Sequence, residues 1–220
     1  MSSREAFRLA GLALVIGAVL SIVGNLLNTL LFTGNDPTPY AGNALFVPVN
    51  ILSVVGTALL LLGLPVLYLS RPEGWGVLGL IGFVLIFATG LMFGIFFSLL
   101  SAVLLPYLVQ AAPATVKGNG PPAFFPFFIL GTVFEVLGLL LLAVPIVRGF
   151  VAERWVGYVL VAAAVLNVVG FFVGGGSGPA NPLLALLGNL GTLLLLAALG
   201  WLGYLLWTAH AGLRERLTGS

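Results

Sequence analysis

Apolar residues run through this chain in six long blocks, at roughly 7–33, 45–69, 76–105, 123–147, 155–174 and 182–208, divided by short segments rich in Gly, Pro, Asn and Arg. Each block supplies the roughly 20 mostly apolar residues that a helix needs to cross a bilayer. The pattern predicts an all-α integral membrane protein with six transmembrane helices. The block 76–105 is long for one straight crossing, so it is expected to tilt strongly or to continue as an interfacial helix near Pro106. The first block follows Arg4 and Arg8, as a signal peptide would. Its apolar run is longer than a cleavable core and no A-x-A site follows, so it reads as a retained anchor.

The blocks also resemble one another. LLLLGLPVLYLSRPEGW (59–75) and LLLLAVPIVRGFVAERW (139–155) match in the Leu run, at Pro65/Pro145, at Glu73/Glu153 and at Trp75/Trp155, with a constant offset of 80. GTALLLL (56–62), GTVFEVL (131–137) and GTLLLLA (191–197) echo one another in the even-numbered blocks, as VLSIVG (19–24), VLIFATG (84–90) and VLNVVG (165–170) do in the odd-numbered ones. The economical account is three helical hairpins, 7–69, 76–147 and 155–208, each starting from the same side of the membrane. Such repeats are parallel, related by an axis along the membrane normal. Three hairpins can enclose an axial cavity or close into a solid bundle with small residues at each crossing.

Composition agrees with the pattern. Hydrophobic residues make up 60% and charged residues 6% of the 220, and the mean hydropathy is +1.22, so almost nothing is left for a soluble domain and 1–220 reads as one transmembrane domain. The lack of cysteine excludes disulfides, iron–sulfur clusters and thiol catalysis in this chain. A lone histidine, His210, excludes bis-histidine haem and histidine-rich metal sites, and a lone lysine, Lys117, placed in a loop, excludes a buried retinal Schiff base.

Charge gives the orientation. Arg4, Arg8, Arg71, Arg148, Arg154, Arg214 and Arg216 all fall on one side of a six-span topology, against Lys117 on the other. By the positive-inside rule both termini are cytoplasmic. Trp75, Trp155, Trp201 and Trp207 fall at the same ends, where an interfacial position is expected. The net charge of +2 and pI near 9.3 express this arginine excess and not a nucleic-acid surface, because no basic run is interleaved with stacking aromatics. Seven Arg against one Lys, with abundant Ala, Gly and Leu, points to a GC-rich prokaryotic genome and hence to the cytoplasmic (inner) membrane.

One carboxylate, Glu135, stands in the middle of the fourth block. Insertion scales put a charged residue at mid-membrane at about 2.5–3.5 kcal/mol unfavourable, so Glu135 is expected to face protein or water. Gly131 and Gly138 share its helical face and leave it smooth enough for another helix to approach, with Thr132 beside it. Two roles compete: a proton relay or cation site, and a packing residue hydrogen-bonded to an Asn or a backbone carbonyl at a helix crossing. Asn25, Asn28, Asn50, Asn167 and Asn189 are the candidate partners and, with Glu135 and Thr132, could line a polar pocket. The positions equivalent to Glu135 are Leu60 and Leu195 in the Gly-Thr register, or Val55 at the offset of 80, which excludes a symmetric ion ring. Pro65 and Pro145, and Pro48 and Pro126, read as helix-end punctuation. Phe124, Phe125, Phe127 and Phe128 read as an interfacial anchor.

No enzyme constellation is present. A nucleophile with its base, a pair of acids, a phosphate-binding GxxxxGK[ST] and HExxH are all missing. The expectation is a non-catalytic multi-pass protein, a subunit or assembly partner of a larger membrane complex or a homo-oligomer. Lipid, quinone or a carotenoid-type pigment would lie in its apolar grooves, among membrane lipids and without nucleic acid. The alternative is a small proton- or cation-coupled transporter or channel with Glu135 as the coupling residue. The first predicts a dry crossing at Glu135, and the second a cavity that reaches it.

Overall fold

The computed structural model describes residues 3–32, 38–116, 124–174 and 182–218, all helical apart from short connections. Lys117 and parts of the loops on its side of the bundle, 33–37, 117–123 and 175–181, lie outside the described residues. The helices are α1 (Ser3–Leu31), α2 (Thr38–Ala41), α3 (Phe46–Ser70), α4 (Pro72–Thr89), a π-helical segment (Gly90–Phe97), α5 (Ser98–Ala111), α6 (Pro113–Val116), α7 (Phe124–Val147), α8 (Arg154–Gly174) and α9 (Pro182–Thr218). Six spans are long and apolar enough to cross a membrane, and they make this a multi-pass, all-helical membrane protein. The expected blocks match five spans closely. The third differs.

That third span covers 40 residues, Pro72–Ala111, made of α4, the π segment and α5; it kinks at Gly76 and from there runs through Pro106 as one rod. At 1.5 Å per residue the part after the kink is about 50 Å long, well over the hydrocarbon thickness. Its two halves have different neighbours, which accounts for the length: α4 packs on α7, whereas α5 packs on α3. The rod leans across the bundle from one neighbour to the other. At the end of the expected block, Leu105 packs against the Phe32, Phe46 and Val49 cluster, and the helix continues past Pro106 to Ala111.

The spans form a closed ring. Each touches its neighbours in sequence, and α1 touches α9. Lipid tails offer no hydrophobic gain for helix association, so close packing must supply it, and small residues mark the tight crossings. A Cβ on Gly203 would lie 2.9 Å from the Gly11 carbonyl oxygen, and one on Gly82 would lie 3.0 Å from that of Gly138. These contacts seat α9 on α1 and α4 on α7. Antiparallel neighbours place both termini at one end of the ring, here called the terminal end.

The interior divides into two halves. In the terminal half a continuous core of Leu14, Leu64, Leu142, Ile146, Val156, Leu160 and Leu202, with Trp75, fills the axis. Trp75 corrects the expectation of four interfacial tryptophans. It is 2% exposed and meets the Phe83 ring edge-on at 4.7 Å, because Gly76 takes a left-handed turn (φ 59°) that starts the long helix just after it. Trp155 and Trp201 are partly exposed and contact each other at 5.4 Å. In the opposite half the axis holds a cavity.

Glycine at the ring seams should be irreplaceable. Gly203→Leu, which would drive a side chain into Leu14 and the α1 backbone, is expected to destabilise by at least about 2 kcal/mol. Gly42→Ala, with nothing near the new Cβ, should change stability by less than about 0.5 kcal/mol. Reversible unfolding by detergent titration in mixed micelles reads both.

Candidate functional site: an axial cavity reaching Glu135

The cavity has a volume of about 730 Å³ and extends from mid-bundle towards the end away from the termini. Its floor is Leu64, Ile86 and Leu199, the upper surface of the terminal core. One flank, from α1, α3 and α9, is polar. Asn28 Nδ2 donates to Asn50 Oδ1 at 3.2 Å, Asn50 Nδ2 to the Phe46 carbonyl at 2.9 Å, and Asn189 Nδ2 to Thr29 Oγ1 at 2.8 Å. The opposite flank is aromatic, with Phe93 and Phe97 of the π segment and Phe128 of α7.

Glu135 lies just above the floor. It is residue 12 of the 24 in α7, about 17 Å from either end at 1.5 Å per residue, and it is 8% exposed. Asn167 Nδ2 of α8 donates to its Oε1 at 3.0 Å, and Thr192 Oγ1 of α9 donates to Asn167 Oδ1 at 3.4 Å. This chain of polar side chains ties three neighbouring helices together. Asn167 is therefore the hub.

The glycines beside Glu135 do a different job from the one expected. At about 100° per residue, Gly131 and Gly138 lie within about 20° of each other while Glu135 is offset by about 40–60°. Gly138 faces Gly82 of α4 and Gly131 faces the ring of Phe93, whereas Glu135 turns towards α8 and the cavity. The smooth face and the acid thus serve separate neighbours.

Of the seven candidate residues, Glu135, Thr132, Asn25, Asn28, Asn50 and Asn189 line the cavity, and Asn167 stands behind Glu135 as its hydrogen-bond donor. Two lining atoms are buried without a hydrogen-bond partner: Asn25 Oδ1 and Ser21 Oγ. Both atoms are enclosed by neighbouring side chains, and burying such a group unmet costs about 1–3 kcal/mol. Glu135 is the only acidic or basic side chain among the lining residues described.

The Gly-Thr echoes locate lining positions that the polar candidates missed. The even-numbered spans each face the cavity at the same three places relative to that pair: Ser53, Thr57 and Leu60 on α3; Phe128, Thr132 and Glu135 on α7; Gly188, Thr192 and Leu195 on α9. Thr57, Thr132 and Thr192 were visible in the sequence as a repeated dipeptide. Of the four phenylalanines read as an anchor, the Phe124 side chain lies outside the described residues, and Phe127 and Phe128 turn to other rings. They pack against Phe93, Phe96 and Phe97 instead, leaving Phe125 exposed.

The hub predicts an order of effects. Asn167→Ala strands Glu135 Oε1 and Thr192 together and is expected to cost about 1–3 kcal/mol. Glu135→Gln should cost less, since the amide oxygen still accepts from Asn167. Unfolding of each variant and a double-mutant cycle for the pair, with coupling of about 0.6–1.7 kcal/mol, check this.

Comparison of the chain with protein families, with curated proteins and with solved structures finds no match, so the geometry of the cavity itself carries the function.

Proposed function

We propose that this multi-pass membrane protein is a carrier-type binding protein for a small solute, held in the axial cavity with Glu135 as its anchoring and coupling acid. The observation that carries it is a cavity of about 730 Å³ that reaches an intramembrane carboxyl group. Its volume lies in the range of small-molecule sites, which are mostly apolar with a few placed polar groups. An intramembrane acid facing such a space is by default a functional group. A packing role alone would have left Glu135 in a dry crossing.

The cavity ends at a filled floor, and this favours a carrier over a channel. Leu14, Leu139, Leu142, Leu160 and Ile146 are almost wholly buried below it. A conducting pore needs an open axis at both ends, whereas a carrier opens one end at a time around a central site. The polar groups and the acid sit next to the seal, where such a site belongs.

We infer further that the three hairpins are repeats, supported by the shared register of their lining positions. Hairpins one and three share more: Gly24 lies against Ser53 and Gly170 against Gly188, each three residues before the Gly of the Gly-Thr pair. We infer from the arginine distribution and the positive-inside rule that the terminal end is cytoplasmic and the cavity faces outward. A single cysteine introduced at Gly42 should then react with an impermeant maleimide on intact cells, and one at Glu73 should not. The reverse labelling would invert the topology.

Native mass spectrometry of the protein extracted from its own membrane into nanodiscs tests the function. Wild type is expected to carry a small solute that Glu135→Gln loses. Co-isolation of a further membrane subunit, or of a lipid, quinone or carotenoid unaffected by the substitution, would instead make this an accessory component with Glu135 as a packing residue.

A further inference from the structure

The wall between the cavity and the bilayer is not uniform. Below Gly138 the α4 and α7 backbones touch through Gly82. Above it the rod leans away towards α3, and close backbone contact between the rod and α7 gives way to rings. Phe93 stacks on Phe128 (centroids 5.7 Å, planes 23° apart) and meets Phe127 edge-on at 5.9 Å, while Phe97 meets Phe128 at 5.2 Å. Phe93, Phe97 and Phe128 line the cavity on the inner side of this seam, and Phe96, on the outer side, is 56% exposed.

Three features make the seam suited to opening. Its closure consists of side chains that rotate, with no backbone hydrogen bond between the two elements among the described residues; the Phe93 ring rests in the space left by Gly131, where any Cβ would collide with it. The rod is π-helical over Gly90–Phe97, the residues that carry three of the five rings. A π segment is wider than an α-helix and departs from its regular ladder, and such segments are found mostly at functional sites.

The cavity also specifies what would pass. An anionic head would meet Glu135 with no basic side chain among the described lining residues to balance it. A head bearing N–H donors matches the Glu135 carboxyl group, and an apolar chain matches the phenylalanine flank. A cavity of about 730 Å³ lies in the range of sites that take a drug-sized ligand. One long-chain amine is of that size.

Resting on the carrier function above, we propose that the seam between the π segment and α7 is a lateral portal, closed by phenylalanine rings, through which a single-chain amphiphile with an amine head passes from the bilayer into the cavity. The chain slides in between the rings while the head moves to Glu135.

The absence of cysteine from the chain makes the test direct. Phe96 and Phe127, whose rings lie 6.2 Å apart at the outer side of the seam, are replaced in the double variant Phe96→Cys/Phe127→Cys and joined by a short, reducible bis-methanethiosulfonate linker. Binding of octadecylamine, supplied in phosphatidylcholine nanodiscs, and of hexylamine, supplied from water, is followed by native mass spectrometry before bridging, after bridging and after reduction. Bridging is expected to slow octadecylamine uptake at least 10-fold and to leave hexylamine binding unchanged, with reduction restoring uptake. Unaltered octadecylamine uptake in the bridged protein, with hexylamine still bound, would overturn the portal and leave the carrier function standing. Failure of both amines to bind the wild type would overturn the amine site, and the portal with it.

Discussion

Six helices in a ring leave an axial space about as wide as a helix, because in a regular ring the centre lies one interaxial distance, about 8–10 Å, from every axis. Everything distinctive in this protein follows from how that space is treated. In the terminal half, large side chains project into it and meet, with Leu14, Leu139, Leu142, Ile146 and Leu160 almost without exposure. In the other half the inward positions are Ser, Thr, Asn and Gly on one flank and phenylalanine on the other, and the space stays open. The same ring is therefore a plug at one end and a cup at the other.

Keeping the ring closed around a cup demands contacts that do not rely on a filled core. Glycine-mediated backbone approaches at Gly11/Gly203, Gly82/Gly138 and Gly170/Gly188 meet that demand at the seams. Polar clasps supplement them where lipid would otherwise be met by an unsatisfied group: Asn189 to Thr29 holds α9 to α1, and Asn28 to Asn50 holds α1 to α3. Glu135 departs from its two register equivalents, since Leu60 and Leu195 line the same cavity as apolar walls. The three positions share a register along their helices and differ in chemistry.

Much of this was legible in the residues. The six spans, the hairpin echoes and the isolation of Glu135 follow from hydropathy and register alone, because both are properties of a single helix. What was not legible depends on neighbours. Five asparagines were equal candidates to bond Glu135, and only the ring order, with α8 beside α7, selects Asn167. Trp75 carries the same sequence context as Trp155, yet a left-handed Gly76 folds it under Phe83 while Trp155 stays at the surface. The length of the third block implied a tilt or a continuation near Pro106, and the change of neighbour from α7 to α3 along it is visible only in the fold.

The long rod is what makes the cup asymmetric. Had the third span run upright, it would have faced α7 along its whole length, and phenylalanines on both helices would have packed as an ordinary seam. By leaning from α7 at the terminal end to α3 at the other, it keeps the floor sealed through Gly82 and Gly138 while parting from α7 above. The parting is filled by rings from a π segment, the one stretch of this chain whose backbone leaves the α-helical pattern within the bilayer among the described residues. Tilt, π-helix and phenylalanine cluster are thus one feature. It lines the cavity with rings on the side where the rod parts from α7, in the same space that Glu135 reaches.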